Sequence, residues 1–152
     1  DRVASIFKKK GVKNAIIDLG GNLYLLGYPP GKKIWSIGIK NPIHPNILIG
    51  RILVPKARGI ATSGNYERPG HIINPVTGVS VWNVLSVTIT APKAITADAL
   101  STGVFVLGVD KGMKLIENLS GVECVIVYRR NGKMQTAVSS GLRERFLKEH
   151  KG

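Results

Sequence analysis

Residues 95–108 of the chain have the sequence ITADALSTGVFVLG. Apolar residues lie on nearly every face of a helix drawn through it, which predicts a helix buried in the core. Asp98 is the only charged side chain between residues 94 and 109. Because an unpaired carboxylate taken out of water costs several kcal/mol, the first question is which group Asp98 faces.

Two interpretations of Asp98 follow from its spacing. If Thr96 caps the helix, Asp98 lies in the first turn, where the helix dipole favours a carboxylate. Alternatively, Thr102 lies one turn further along the same face, and the two oxygen ligands could hold a hard cation, Mg²⁺ or Ca²⁺. Because Mg²⁺ often takes only one or two protein oxygens and fills its shell with phosphates and water, the pair fits a nucleotide-bound ion.

Around this stretch, short apolar runs alternate with turns that contain glycine or proline. A helix is predicted at the N-terminus, ended by Gly11, and a second central helix over residues 110–121. The dipeptide Asn131-Gly132 predicts a hairpin. Strands are predicted within residues 13–27, 34–39, 47–56, 58–64, 83–92, 122–130 and 133–140.

These elements predict the fold class. Because hairpins outnumber crossover units, we expect an α+β fold with a mostly antiparallel sheet meander and two central helices packed on one face. A chain of this length predicts a single domain, residues 1–152. The basic tail, residues 142–152, is expected to be helical or frayed.

The composition is that of a folded protein with a large positive charge. The chain has 152 residues, 43% of them apolar, and 22 Lys and Arg against 9 Asp and Glu, for a net charge of +13. Most basic residues are scattered with few aromatic residues between them, so nucleic-acid binding is the least favoured interpretation. Cys124, the only cysteine, lies in an apolar run and is predicted to be buried in a strand.

Two polar segments are candidates for binding. The Gly20-Gly21-Asn22 turn predicts a hairpin or a close approach of the backbone to a ligand. The stretch ATSGNYERPGHIINP, residues 61–75, gathers polar side chains around His71 in one short loop, where binding groups tend to lie, although turn chemistry alone would also explain it. The chain has no Walker A loop, GxGxxG or HExxH motif, so any nucleotide is held in another way.

Taken in order, the segments IDLGGNLYLLG, WSIGI, IATSGNY, HIINPVTG, SVTITAP and TADALSTGVFVLG resemble the ApbE-like FAD:protein FMN transferases. The pairing of a His-x-x-x-Pro-x-Thr-Gly segment with a downstream Ala-Asp-Ala-Leu-Ser-Thr segment is specific to that family. The resemblance implies an ApbE-like, T-fold-like architecture. It also implies Mg²⁺-dependent transfer of FMN from FAD to a Thr or Ser hydroxyl of a target flavoprotein, with release of AMP.

The resemblance also assigns roles to residues. Asp98 and Thr102 match the family's metal ligands, and His71 matches a histidine near the scissile pyrophosphate. Flavin-lining positions are matched by Gly20, Gly21, Asn22, Thr62, Ser63, Gly64 and His71. His71 would accept the proton of the attacking hydroxyl.

Family members are about twice this length, so the resemblance implies that the chain is a C-terminal portion. The N-terminal half, as a separate chain, is then a further candidate partner. Localisation on the extracytoplasmic face of the cell membrane is expected by resemblance only. Hydrolysis of FAD to FMN and AMP, and a non-catalytic module that binds or stores FAD, are the alternative functions, and no nucleic-acid partner is expected.

Overall fold

The computed structural model describes residues 1–66 and 68–149 of the chain. Helices and strands follow the order α1 (Arg2–Lys9), β1 (Ala15–Leu19), β2 (Asn22–Leu26), β3 (Trp35–Lys40), β4 (Leu48–Val54), β5 (Arg58–Gly64), β6 (Val84–Ala91), α2 (Ala94–Glu117), β7 (Glu123–Arg130), β8 (Lys133–Val138), a 3₁₀ helix (Ser140–Arg145) and β9 (Phe146–Lys148). The predicted N-terminal helix and the predicted strands are present. The hairpin at Asn131-Gly132 is confirmed too, with both residues at positive φ.

The strands form two antiparallel sheets. Six strands pair in the order β1-β2-β5-β6-β7-β8, and three pair in the order β3-β4-β9. The α+β class is confirmed, but the expected single meander is divided because β2 pairs with β5 and leaves the β3-β4 hairpin outside. Strand β6 is buried along nearly its whole length, so the central sheet needs cover on both faces.

Two apolar cores provide that cover. One lies between α2 and one face of the six-stranded sheet and includes Val104, Phe105 and Ile89. The other lies against the opposite face, where Leu25 and other residues of the central sheet pack with the three-stranded sheet. The molecule is therefore layered, with α2, the central sheet and the small sheet stacked in that order.

The two central helices predicted from the sequence are joined in α2. Its backbone is non-helical at Gly108, with φ of 80° and ψ of 177°, so the element is broken where the first predicted helix ends. Only one face of α2 is buried, and Ile95 and Leu107 are 69% and 43% exposed. The prediction of a helix buried on all sides is wrong, because the sheet covers one face and nothing in the described chain covers the other.

The N-terminus of α2 is fixed by groups distant in sequence. The backbone amides of Ala94 and Ile95 donate hydrogen bonds to the Asp1 carboxylate at 2.9 and 3.0 Å. The predicted cap, Thr96, lies inside the helix instead. Gly59 of β5 is equally important, because a Cβ there would lie 2.3 Å from the Cα of Ala94. A glycine at this position allows α2 to start directly against the sheet.

The predicted helical or frayed tail is helical at its start, where the 3₁₀ helix extends to Arg145, but it continues as the strand β9 and is not frayed in its described part. Leu142 of the 3₁₀ helix is buried in the second core, and β9 pairs with β4. Residues 150–152 of the predicted tail lie outside the described residues. No helix in the described part of the chain combines the length and apolar character needed to cross a membrane.

Candidate functional site

A cleft of about 470 Å³ opens between the two sheets, beside the β1-β2 turn. Strands β3 and β5 and the loop after β5 contribute its walls. Six of the seven predicted flavin-lining residues meet here although they come from separate segments: Gly20, Gly21, Thr62, Ser63, Gly64 and His71. The β1-β2 turn is held by a hydrogen bond of 2.8 Å from the Gly21 amide to Asp18 Oδ1.

Asn22, the seventh of these residues, does not line the cleft. Its side-chain amide donates a hydrogen bond of 3.1 Å to Oδ1 of Asp98. Asp98 is exposed, so the expectation that its carboxylate is taken out of water is wrong. Asp98 therefore points toward the β1-β2 turn, where the Asn22 side chain orients its carboxylate.

Thr102, one turn beyond Asp98, is bonded to the central sheet. Its Oγ1 lies 3.0 Å from Oγ of Ser63 on β5, and the same Ser63 oxygen lies 2.8 Å from Oγ of Ser101. Ser101 also donates a hydrogen bond to the backbone carbonyl of Asp98 at 2.8 Å. Ser63 therefore links the cleft to the helix face that carries Asp98 and Thr102.

His71 follows a tight turn that places its ring at the cleft. Its Nδ1 lies 2.5 Å from the carbonyl oxygen of Arg68. Because a carbonyl only accepts, Nδ1 carries the hydrogen and the lone pair of the neutral ring is on Nε2. Gly70 permits the turn with φ of +73°, and the Trp82 ring packs 3.1 Å from the position that a Cβ would take there. His71 is thus oriented as an exposed base.

The cleft also contains two cationic side chains, of which only Arg68 belongs to the polar segment 61–75 identified from the sequence. Lys40 comes from β3, at the wall supplied by the small sheet, and Arg68 comes from the loop. Both carry positive charge toward a site that would receive an anionic ligand. No local sequence pattern indicates Lys40 as a cleft residue, because its position depends on how the two sheets pack. Ser101, which bonds Ser63, could have been identified as a candidate site residue, because it lies three residues after Asp98 on the same helix.

The donor set for a metal ion is small. No group of three or more His, Cys, Asp or Glu side chains that could hold a metal ion occurs within residues 1–66 and 68–149. One exposed carboxylate and one exposed hydroxyl share a helix face at Asp98 and Thr102. Such a set suits Mg²⁺, which takes few protein oxygens when phosphates and water complete its shell.

Comparison with known proteins gives one consistent group. The model of the ApbE family matches residues 1–126. A FAD:protein FMN transferase from Vibrio cholerae is 34% identical over 149 residues, covering 92% of this chain and 45% of that protein. The ApbE protein from Thermotoga maritima superposes with a TM-score of 0.78 at 33% identity, covering 93% of this chain and 48% of that one.

A histidine-to-glycine variant of the flavin transferase ApbE from Vibrio cholerae superposes with a TM-score of 0.80 at 28% identity. The superposition covers 95% of this chain and 48% of the Vibrio cholerae variant. The chain thus spans less than half the length of the relatives it matches.

Proposed function

The chain belongs to the ApbE family, and we propose that it supplies the catalytic cleft of a Mg²⁺-dependent FAD:protein FMN transferase. The substrates would be FAD and a target flavoprotein with an acceptor Thr or Ser hydroxyl. One observation carries the proposal: His71, the β1-β2 turn and the polar end of β5 line a single cleft, and Ser63 connects that cleft to Thr102.

The residues present fit a magnesium ion. Among the described side chains, only Asn22 donates a hydrogen bond to the Asp98 carboxylate, so its other oxygen is available to a ligand. Asp98 and Thr102 would hold the ion, and FAD phosphates and water would supply its remaining ligands. When bound there, Mg²⁺ would neutralise part of the pyrophosphate charge.

His71 would act as the general base of the transfer. Its Nε2 accepts the proton of the acceptor hydroxyl while that oxygen forms a bond to the phosphorus of the FMN half. The bond between this phosphorus and the bridging pyrophosphate oxygen breaks, and AMP leaves with that oxygen. The Arg68 carbonyl holds the ring in the required tautomer, and Lys40 and Arg68 attract the anionic substrate.

Two alternatives use the same cleft. Water in place of the acceptor hydroxyl would give FAD hydrolysis to FMN and AMP. A module that binds FAD without turnover would need the cleft but not the His71 base. The orientation of His71 toward an open cleft favours the transferase over the binding module.

The test is incubation of the chain with FAD, Mg²⁺ and a threonine-containing acceptor peptide. Mass spectrometry follows the peptide and chromatography follows AMP. Peptide that gains FMN as AMP appears supports the transferase, whereas FMN and AMP with unmodified peptide indicate the hydrolase. The assay is repeated with the N-terminal half of a relative added as a separate chain. Absence of FAD binding and of products in both formats contradicts the proposal.

We also propose that this activity is located on the extracytoplasmic face of the cell membrane. Only the family resemblance supports this. Protease treatment of intact spheroplasts tests it, because an extracytoplasmic chain is digested without lysis and a cytoplasmic one is protected.

A further inference from the structure

We infer that Ser63 is a positioning residue that turns the lone pairs of Thr102 toward a cation, through a directed chain of three hydroxyl groups. The inference rests on the proposed function, because it concerns the cation that Asp98 and Thr102 would hold. It gives Ser63 a role different from the flavin contact that the family resemblance implies.

The direction of the hydrogen bonds in this hydroxyl chain is fixed at its buried end, at Ser101. Ser101 is 1% exposed, and its Oγ lies 2.8 Å from the backbone carbonyl oxygen of Asp98. A carbonyl oxygen only accepts, and a serine hydroxyl has a single hydrogen. Ser101 therefore donates to Asp98, and its own oxygen can only accept from any further partner.

The next two bonds follow by counting hydrogens. Oγ of Ser63 lies 2.8 Å from Oγ of Ser101, whose hydrogen is already engaged, so Ser63 is the donor. Oγ1 of Thr102 lies 3.0 Å from the same Ser63 oxygen. Since the hydrogen of Ser63 points to Ser101, Thr102 must donate to Ser63. The hydrogen bonds therefore run in one direction, from the Thr102 hydroxyl through Ser63 and Ser101 to the Asp98 carbonyl.

This direction determines what Thr102 offers to the site. Its hydrogen is held toward Ser63, so its lone pairs are left for another partner. A hard cation binds lone pairs and is repelled by a hydroxyl hydrogen. Without Ser63, the Thr102 hydroxyl is free to rotate or to donate to the carbonyl four residues back, which belongs to Asp98.

The experiment measures Mn²⁺ binding rather than turnover. The full chain is titrated with Mn²⁺ in the presence of FAD, and free Mn²⁺ is followed by electron paramagnetic resonance. Ser63→Ala is expected to raise the Mn²⁺ dissociation constant about tenfold or more, which is the usual effect of removing an outer hydrogen-bond partner of a ligand. Ser63→Thr keeps a hydroxyl at this position and is expected to recover most of the affinity.

A second variant tests the direction itself. Ser101→Ala leaves Ser63 in place but removes the acceptor that fixes its hydrogen, so Mn²⁺ affinity should also fall. Ser139→Ala is the matched control, because Ser139 is a buried serine whose hydroxyl bonds Cys124 and Glu123 away from the cleft. It should lower stability without changing Mn²⁺ affinity, and circular dichroism checks the folding of every variant.

Two results would overturn the inference in different ways. If folded Ser63→Ala and Ser101→Ala bind Mn²⁺ as the parent does while Asp98→Ala does not, the hydroxyl chain is irrelevant and the proposed function stands. If the parent binds no Mn²⁺, or Asp98→Ala binds it equally well, the metal assignment fails and the role of Ser63 fails with it.

Discussion

The side chain of Asp1 caps a helix that begins 93 residues later, through a hydrogen bond of 2.9 Å from the backbone amide of Ala94. The Ile95 amide donates to the other carboxylate oxygen at 3.0 Å. Two of the unpaired amides at the start of α2 are thus satisfied by one side chain, and the negative charge is favourable at this end of the helix. The helix so fixed carries Asp98 and Thr102.

Loss of this cap should cost stability. Asp1→Ala is expected to lower the free energy of unfolding by about 1 kcal/mol, the usual loss for an N-cap replaced by alanine. Urea denaturation followed by circular dichroism measures it. Asp110→Ala is the control, because Asp110 is an exposed residue of the same helix whose side chain makes a long ion pair of 3.4 Å with Arg130, so its change should stay near zero. Equal losses in the two variants would rule out a capping role.

A substitution of Asn22 distinguishes a role in positioning the metal ligand Asp98 from a role in contacting the flavin. Because its amide orients the Asp98 carboxylate, Asn22→Ala should raise the Mg²⁺ concentration for half-maximal FMN transfer about tenfold or more. The KM for FAD at saturating Mg²⁺ should change little. Asn118→Ala serves as the control, since its amide donates to the Lys114 carbonyl at the other end of α2. A raised KM for FAD with unchanged Mg²⁺ dependence would favour the flavin contact implied by the resemblance.

His71 should be needed for turnover and not for binding. His71→Ala is expected to slow FMN transfer by about 10²- to 10⁴-fold, the range typical of a general base, while FAD affinity measured by flavin fluorescence is kept. His44→Ala is the matched control, because His44 is exposed and does not line the cleft. Transfer by His71→Ala at the parental rate would remove this residue from the mechanism.

Local patterns predicted most of the elements, and long-range packing accounts for what they missed. The Asn131-Gly132 hairpin and the N-terminal helix follow from turn chemistry and apolar spacing within a few residues. The second sheet, the Asp1 cap on α2 and the Lys40 wall of the cleft join segments that are distant in sequence. No local pattern contains that information.

The candidate site likewise combines features that local spacing predicts with features that depend on long-range packing. The i, i+4 spacing correctly placed Asp98 and Thr102 on one helix face, but burial of that face was inferred from apolar composition alone. Asp98 is exposed because it lies beside the buried face of α2, at the edge where the helix meets the β1-β2 turn. Asn22 and Ser63 were singled out as flavin contacts, and only the folded chain brings their side chains to Asp98 and Thr102.

Cys124 gives a prediction that is independent of the site. Its thiol is fully buried, and burial, together with the nearby carboxylates of Glu117 and Glu123, raises its pKa to about 12 from an ordinary value of 9.0. A backbone hydrogen bond with Ser139 acts in the opposite direction and is smaller. Since the thiolate is the reactive form, Cys124 should resist alkylation by iodoacetamide at pH 8 in the native chain and react after denaturation.

The raised pKa of Cys124 also makes stability depend on pH. Above pH 9 the thiol of the unfolded chain loses its proton, while the folded chain keeps it until about pH 12. The unfolded state then binds fewer protons, so the free energy of unfolding falls as pH rises, by up to about 1.4 kcal/mol for each pH unit. Below pH 9 this contribution is fully present. Cys124→Ala lacks it, so its stability should fall less than that of the parent between pH 9 and 10.5 in urea denaturation, and parallel curves would show that the thiol ionises equally in both states.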